Sequence, residues 1–299
     1  MKYPYSRFVY GTTRLGDVAI PAEKRVELAC AAMRTGWWFH TSTQYGDALS
    51  ILGHAFRKDP EHIPSMIYKI GGDSIAELEQ SIEDNLRPVG LDHMDCGQLC
   101  LGGNLAREFA QGGACLKALE KIRESGRVRA FLLEVFPWTS EQPYRALKAG
   151  HTKGLVDAII FYLNPLQRFA DNRLWDLILD TGTPVVALRT VSGGPVHRLR
   201  DEPGFAWKDY LRQRAVEVAP VFEASGIKSW TEFCARFAFS VPGVLATVGS
   251  TGRKENLSEY QTVFGQPLEP LPKGIMDVLF ALQRRWSEEV DVHAEPWTM

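Results

Sequence analysis

The sequence predicts an α/β protein: a closed (β/α)8 TIM barrel that forms a single domain over residues 1–299 and ends in an extra C-terminal helix. Three observations support this fold class. Short apolar runs rich in β-branched and aromatic residues alternate eight times with segments of helical periodicity. Strands that alternate with helices form a parallel sheet, and eight such strands close into a barrel. No linker, low-complexity tract or charge block divides the chain.

The predicted strands are apolar runs of strand length, and several end in polar or turn-forming residues. Such ends are typical of parallel strands, because the chain must turn there into a crossover helix. The eight runs, in chain order, are 8–12, 37–41, 65–70, 94–101, 128–136, 157–164, 184–189 and 245–248.

The predicted helices follow these strands and carry start and stop signals. The third helix begins at Ser74, with Glu77 in capping-box spacing, and its apolar residues recur at helical period through Leu86. Gly126 and Gly150 end two later helices, since glycine readily takes the backbone conformation of a helix C-terminus. The other helices, including the two that end at these glycines, are predicted at 22–34, 49–57, 114–125, 141–149, 173–180, 209–224, 230–239 and 256–264. The extra terminal helix is predicted at 275–289.

The composition excludes several classes of partner. With 34 Lys plus Arg against 36 Asp plus Glu, the chain has no basic excess for a phosphate backbone, so we expect no nucleic-acid partner. Residues 1–9 lack the apolar core of a signal peptide, and apolar stretches such as 156–163 fall far short of the roughly 20 residues that span a bilayer. The five cysteines form no CxxC motif. We therefore expect a cytoplasmic, reduced protein without a membrane partner, and its oligomeric state is left open.

Candidate catalytic side chains are sought at the carboxyl ends of the strands, where the active sites of such barrels lie. The second to fifth predicted strands each place a chemically capable residue there or just beyond. These residues are His40 and Tyr45 around the second strand, Lys69 on the third, Cys100 on the fourth and Glu134 on the fifth.

An ordered set of motifs runs from the first strand to the eighth helix. The motifs are FHTSTQYG at 39–46, YK at 68–69, NLRPVGLD at 85–92, DCGQLC at 95–100, NPL at 164–166, PGV at 242–244 and GST at 249–251. In this order and spacing the chain resembles the aldo-keto reductases. The resemblance implies an NADP(H)-dependent oxidoreductase that transfers a hydride to a small carbonyl compound, or from the corresponding alcohol.

The resemblance also implies roles for four residues. Tyr45 matches the proton donor, and Lys69 matches the ammonium group that lowers the pKa of that tyrosine. His40 stands where the family has the aspartate that pairs with the lysine, and Cys100 stands where it has the histidine that orients the carbonyl. Half of the catalytic tetrad is therefore replaced.

Around the cofactor, the resemblance implies a divergent nicotinamide site and a better preserved phosphate site. Glu134 occupies the position of a serine that holds the carboxamide, and Arg189 is the candidate to replace a stacking aromatic. Arg253 and Lys254 precede the last barrel helix, where cations suit a 2′-phosphate, and which of them makes the contact is open. The remaining cofactor-binding candidates are Ser192, Gly193, Ser250, Thr251 and Asn256.

The replaced tetrad leaves alternatives open. A catalytically degenerate barrel could bind NADP(H) or another ligand as a sensor or partner protein. A repurposed enzyme could use Cys100 as a nucleophile and His40 as its base, whereas a zinc site on this pair lacks a clear third ligand. Glu134 could restore a carboxylate near Lys69 or serve as a structural partner of Arg189, and a neutral His40 could hydrogen-bond Lys69. No metal site is predicted.

Overall fold

Eight parallel strands close into a barrel in the computed structural model, which describes residues 5–136, 140–191 and 208–289. Strand β1 pairs with both β2 and β9, and β5 pairs with β6, so the sheet closes on itself. The two-residue β7 lies outside the barrel and pairs antiparallel with β6. The strands are β1 (Phe8–Gly11), β2 (Trp38–Thr41), β3 (Met66–Gly72), β4 (Cys96–Leu101), β5 (Phe131–Glu134), β6 (Ala158–Asn164), β7 (Gln167–Arg168), β8 (Val185–Leu188) and β9 (Val244–Ser250).

The helices surround the barrel and include the predicted extra helix at the C-terminal end of the described chain. They are α1 (Ala22–Met33), α2 (Ala48–Lys58), α3 (Ile75–Val89), α4 (Gly103–Gln111), α5 (Ala114–Glu124), α6 (Glu141–Ala149), α7 (Asn172–Thr181), α8 (Lys208–Ala224), α9 (Trp230–Ser240), α10 (Lys254–Phe264) and α11 (Lys273–Glu289). No helix among the described residues is long and apolar enough to cross a membrane.

The predicted barrel is confirmed, whereas α4, β7 and two short 3-10 helices, at Thr13–Gly16 and Pro60–His62, were missed. Helix α4 spans only 9 residues, and it ends at Gly112, which adopts a left-handed φ of 75°. Its buried residues, Leu105, Phe109 and Ala110, have helical spacing but span fewer than two turns, which is too short a pattern to identify a helix from sequence. Strand β7 has only two residues, which is too short for an alternating pattern.

Helix α3 shows how local sequence fixes an element boundary. The Ser74 hydroxyl accepts the backbone N–H of Glu77, as the capping pattern predicts. The Glu77 carboxylate accepts the backbone N–H of Asp73, one residue earlier than a standard capping box. Gly90 ends the helix with a φ of 74°.

The inside of the barrel is polar at the carboxyl ends of the strands. Alternate residues of a strand point to opposite faces, so Phe39 and Tyr68 pack outward among the buried aromatic side chains under the helices. His40 and Gln98 therefore point inward, and the His40 Nε2 lies 2.7 Å from the Gln98 Oε1. His40 is only 2% exposed. Burial, and next the charge of Lys69, lower the pKa of His40 to about 4, so this imidazole is neutral at physiological pH.

The neutral, buried His40 makes the stability of the fold depend on pH. The unfolded chain protonates this side chain near its ordinary pKa of 6.5, whereas the folded chain does so only near 4. Stability from this residue is therefore complete above pH 6.5 and is lost as the pH falls from about 6.5 to about 4. The expected loss is about 3 kcal/mol, because one pKa unit is worth about 1.4 kcal/mol.

Urea unfolding measured at about pH 7 and about pH 4.5 tests this expectation. His40→Gln should flatten the pH dependence of the unfolding free energy. His54→Gln, which removes an exposed histidine of α2, is the matched control and should leave that dependence as in the wild type. Equal pH dependence in the wild type and in His40→Gln would contradict the assignment.

Candidate active site

Five side chains from consecutive parts of the barrel converge at the carboxyl ends of its strands. Four of them were predicted from the sequence, and the fifth, Tyr162, was not. They are Tyr45 from the loop after β2, Lys69 from β3, Cys100 from β4, Glu134 from β5 and Tyr162 from β6.

A buried ion pair joins the middle of this group. The Lys69 Nζ lies 3.0 Å from the Glu134 Oε1, and the two side chains are 6% and 2% exposed. Burial by itself would lower the pKa of Lys69, but the adjacent Glu134 carboxylate outweighs it and raises the pKa well above the ordinary value. Lys69 is therefore an ammonium ion at physiological pH. Of the two partners that the sequence left open for Glu134, the structure supplies Lys69.

Cys100 contacts the second oxygen of the Glu134 carboxylate. The Cys100 thiol donates a hydrogen bond to the Glu134 Oε2, whereas the Oε1 lies against the Lys69 ammonium in the ion pair. Burial, and next the negative charge of Glu134, raise the pKa of Cys100 well above its ordinary value. The group stays a thiol, which argues against the hypothesis of a Cys100 nucleophile, since the thiolate is the reactive form.

His40 does not contact Lys69 in the way the sequence suggested. Its Nε2 hydrogen-bonds the amide of Gln98 instead. The strand order explains this contact. Strands β2 and β4 lie on either side of β3, and His40 and Gln98 both point into the barrel, where their side chains meet. A neutral imidazole with this partner supplies neither a negative charge nor a base for Cys100.

Close backbone packing positions Tyr45. The backbone N–H of Tyr45 bonds the Ser42 carbonyl, and the N–H of Ala48 bonds the Tyr45 carbonyl, so the residue sits in a tight turn before α2. Gly16 packs against it, since a Cβ at that position would lie 1.9 Å from the Tyr45 carbonyl oxygen. Gly46 follows with a φ of 55°. Only glycine fits both positions.

The Tyr45 phenol is affected by opposing electrostatic influences. Burial raises its pKa, the Lys69 ammonium lowers it, and the nearby Tyr162, Glu134 and Cys100 raise it, with a result of about 12. Its ring centroid lies 6.0 Å from that of His40. Within the described chain its hydroxyl forms no hydrogen bond, so it can donate to a substrate.

Tyr162 is the site residue that sequence reasoning missed. Its ring stacks on Phe169 at 4.4 Å between centroids, and the Arg189 Cζ lies 4.7 Å from its centroid. The available signal was its place two residues before Asn164, which puts it on the same inward face of β6 as Ile160.

Arg189 occupies a strained position at the end of β8. It is the only non-glycine residue of the described chain with a positive φ, at 51°, and this conformation costs roughly 1–2 kcal/mol. The side-chain amide of Asn164 holds the Arg189 carbonyl at 2.9 Å. The guanidinium of this residue lies over the Tyr162 ring.

The candidates for the phosphate end of a cofactor cluster around the start of α10. The Ser250 hydroxyl accepts the backbone N–H of Arg14 at 3.1 Å, and the Thr251 hydroxyl accepts that of Arg253 at 3.1 Å. Arg253 precedes the helix without capping it through its side chain. Lys254 forms an exposed ion pair with Glu27 at 3.5 Å. Asn256 is exposed in the first turn of α10, and Ser192 and Gly193 lie outside the described residues.

Over the ranges 5–136, 140–191 and 208–289, no group of three or more His, Cys, Asp or Glu side chains is placed to hold a metal ion. The side chains that converge at the site offer an ammonium, a carboxylate, a thiol and two phenols.

The comparisons with known proteins identify the family and the fold. Residues 7–270 match the Aldo/keto reductase family, and no curated protein matches the chain. An aldo/keto reductase from Klebsiella pneumoniae, in complex with NADP and acetate, has a TM-score of 0.66 at 18% identity over 94% of this chain and 92% of that chain. An aldo-keto reductase from Bacillus halodurans in its holo form has a TM-score of 0.69 at 17% identity over 93% and 95%.

At these identities the solved structures establish the shared barrel alone. The sequence match covers most of the chain, including every strand of the barrel. The chain belongs to the aldo/keto reductase family.

Proposed function

We propose that this chain is an NADP(H)-dependent oxidoreductase that reduces a small carbonyl compound, with Tyr45 as proton donor and Lys69 as the cation that assists it. The observation that carries the proposal is the buried Lys69–Glu134 ion pair beside Tyr45 at the carboxyl ends of the strands. A fixed ammonium next to a phenol stabilises the tyrosinate that forms when the proton leaves.

Glu134 compensates for the missing aspartate. The resemblance implies that family members have a carboxylate at the position of His40, which keeps the lysine charged. Here that position holds a neutral imidazole, and the carboxylate comes from β5 on the opposite side of Lys69. Lys69 therefore has a negatively charged partner although the motif on β2 has lost it.

The residues around α10 suit the phosphate end of NADP(H). The first N–H groups of α10 receive no side-chain cap from Arg253, and the exposed Arg253 and Lys254 add positive charge at the same helix end. The Klebsiella pneumoniae relative in complex with NADP supports this choice of cofactor. At the other end of the site, Arg189 and Glu134 are the candidates to contact the nicotinamide.

NADPH supplies the hydride that reduces the carbonyl carbon. Tyr45 donates its proton to the carbonyl oxygen as negative charge develops there, and Lys69 stabilises the resulting tyrosinate until solvent returns the proton. The expected partners are a small carbonyl compound or its alcohol, with neither nucleic acid nor membrane. A reducing, cytoplasmic location would keep Cys100 as the thiol that bonds Glu134.

One observation favours a second candidate function. Cys100 donates to Glu134 and so does not offer its proton to a substrate from the position of the family's histidine. A barrel that binds NADP(H) as a sensor or partner protein, without turnover, fits that loss.

Tyr45→Phe separates the two functions. If Tyr45 is the proton donor, the variant lowers kcat by roughly 10²–10⁴-fold, because general acid catalysis contributes about that much. The measurement is the loss of NADPH absorbance with a panel of aldehydes, ketones and quinones. Tyr144→Phe on α6 is the matched control and should keep the wild-type rate. Equal inactivity of the wild type and Tyr45→Phe would favour the sensor.

Moving the carboxylate from β5 to β2 by mutation tests the role of Glu134. Glu134→Gln removes the charge that holds Lys69 protonated, so we expect kcat to fall by roughly 10²-fold and its pH dependence to shift to lower pH. Adding His40→Asp to that variant places a carboxylate on β2 and should raise its kcat by at least about tenfold. An unchanged kcat and pH profile in Glu134→Gln would rule this role out.

The cation that binds the 2′-phosphate can be identified by affinity. Arg253→Ala should weaken NADPH binding by roughly 10–100-fold, because a charge-assisted hydrogen bond is worth about 1.5–3 kcal/mol. Lys254→Ala should weaken it less, since Lys254 already pairs with Glu27. The emission of the eight tryptophans reports the titration. Affinity for NADH should stay constant in both variants, and Lys273→Ala on α11 is the control. An equal loss for NADPH and NADH would contradict phosphate recognition.

A further inference from the structure

The site lacks a second hydrogen-bond donor at the expected place. Reduction of a carbonyl builds negative charge on its oxygen, and one donor fewer costs such a site roughly 10²–10³-fold in rate. Cys100, at the position that the resemblance assigns to the orienting histidine, directs its proton to Glu134. Some other group must share the developing charge with Tyr45 if the site reduces carbonyls efficiently.

Tyr162 lies where such a donor is needed. Glu134 on β5 is in register with Ile160 on β6, so Tyr162 is the next inward residue toward the carboxyl end of the same strand. The Lys69 Nζ lies 5.8 Å from the Phe136 ring, whose centroid is 6.2 Å from that of Tyr162. Tyr162 is also close enough to Tyr45 and Lys69 to contribute to raising the pKa of each.

The Tyr162 phenol is held rigidly but has no hydrogen-bond partner in the described chain. Phe169 stacks on its ring, Phe136 meets it edge-on, and the Arg189 guanidinium covers it. These contacts fix the ring without using the hydroxyl. Asn164 bonds the backbone carbonyl of Arg189, the residue whose guanidinium covers the ring.

We propose that Tyr162 is a second catalytic residue, which donates a hydrogen bond to the substrate carbonyl oxygen so that two phenols, Tyr45 and Tyr162, activate the carbonyl. This inference rests on the proposed function. When the hydride adds to the carbonyl carbon, the π electron pair moves to the oxygen, and Tyr45 gives that oxygen its proton. Tyr162 keeps its own proton and stabilises the oxygen while the charge develops.

Kinetics separate donation from ring packing. Tyr162→Phe keeps the ring and its contacts with Phe169 and Arg189 but loses the hydroxyl. Donation to the transition state predicts a fall in kcat of roughly 10²–10³-fold with little change in KM. A packing role predicts wild-type kcat. Tyr144→Phe, which removes a tyrosine hydroxyl on α6, is the matched control, and equal thermal midpoints of all three proteins show that the fold is retained.

A second readout does not depend on turnover. The nine tyrosines can be labelled with ¹³C at Cζ and assigned through the phenylalanine variants. Formate, whose carboxylate oxygen resembles the developing oxyanion, is titrated into the protein with NADP⁺ present. We expect the signals of both Tyr45 and Tyr162 to move together, and Tyr162→Phe to weaken formate binding by about tenfold.

The outcomes distinguish this inference from the proposed function. If the wild type reduces carbonyls, and Tyr162→Phe matches its kcat while formate moves only the Tyr45 signal, the second donor is refuted and the reductase stands. If formate moves both signals although no carbonyl is reduced, the two-phenol site is supported and the reductase fails.

Discussion

The buried ion pair between Lys69 and Glu134 is the interaction on which the rest of the site depends. Each charge is tolerated in the barrel because the other is 3.0 Å away, and removal of one partner would leave an uncompensated buried charge that costs roughly 3–5 kcal/mol. The pair directs the Cys100 proton to Glu134 and keeps an ammonium beside Tyr45. Its contribution is electrostatic organisation more than stability, since a buried ion pair stabilises a fold only weakly.

The barrel makes a relocated charge possible. Inward side chains from neighbouring strands converge at the carboxyl ends, so a group near Lys69 can come from β2 or from β5. Position 40 can hold a neutral histidine bonded to Gln98 because Glu134 supplies a carboxylate to Lys69. A motif on one strand can therefore lack a carboxylate that another strand provides.

The sequence predicts the barrel well because alternation of apolar runs and helical periods is a local property. It also places Tyr45, Lys69, Cys100 and Glu134 at one end, because all follow or end strands. It does not predict which inward side chains meet, because contacts such as His40 with Gln98 depend on register and closure. Tyr162 was not predicted for the same reason. Only the packed barrel shows that its ring is fixed and that its hydroxyl has no hydrogen-bond partner within the described chain.

The charge state of Lys69 is the most direct test of this account. The ¹³Cε resonance of Lys69, assigned with a Lys69→Met variant, reports its pKa in the wild type and in Glu134→Gln. The ion pair predicts an ammonium that resists titration well above the ordinary pKa of 10.5 in the wild type. In Glu134→Gln, burial without the carboxylate should bring the pKa below that value. A Lys69 that titrates at its ordinary pKa in both proteins would contradict the account.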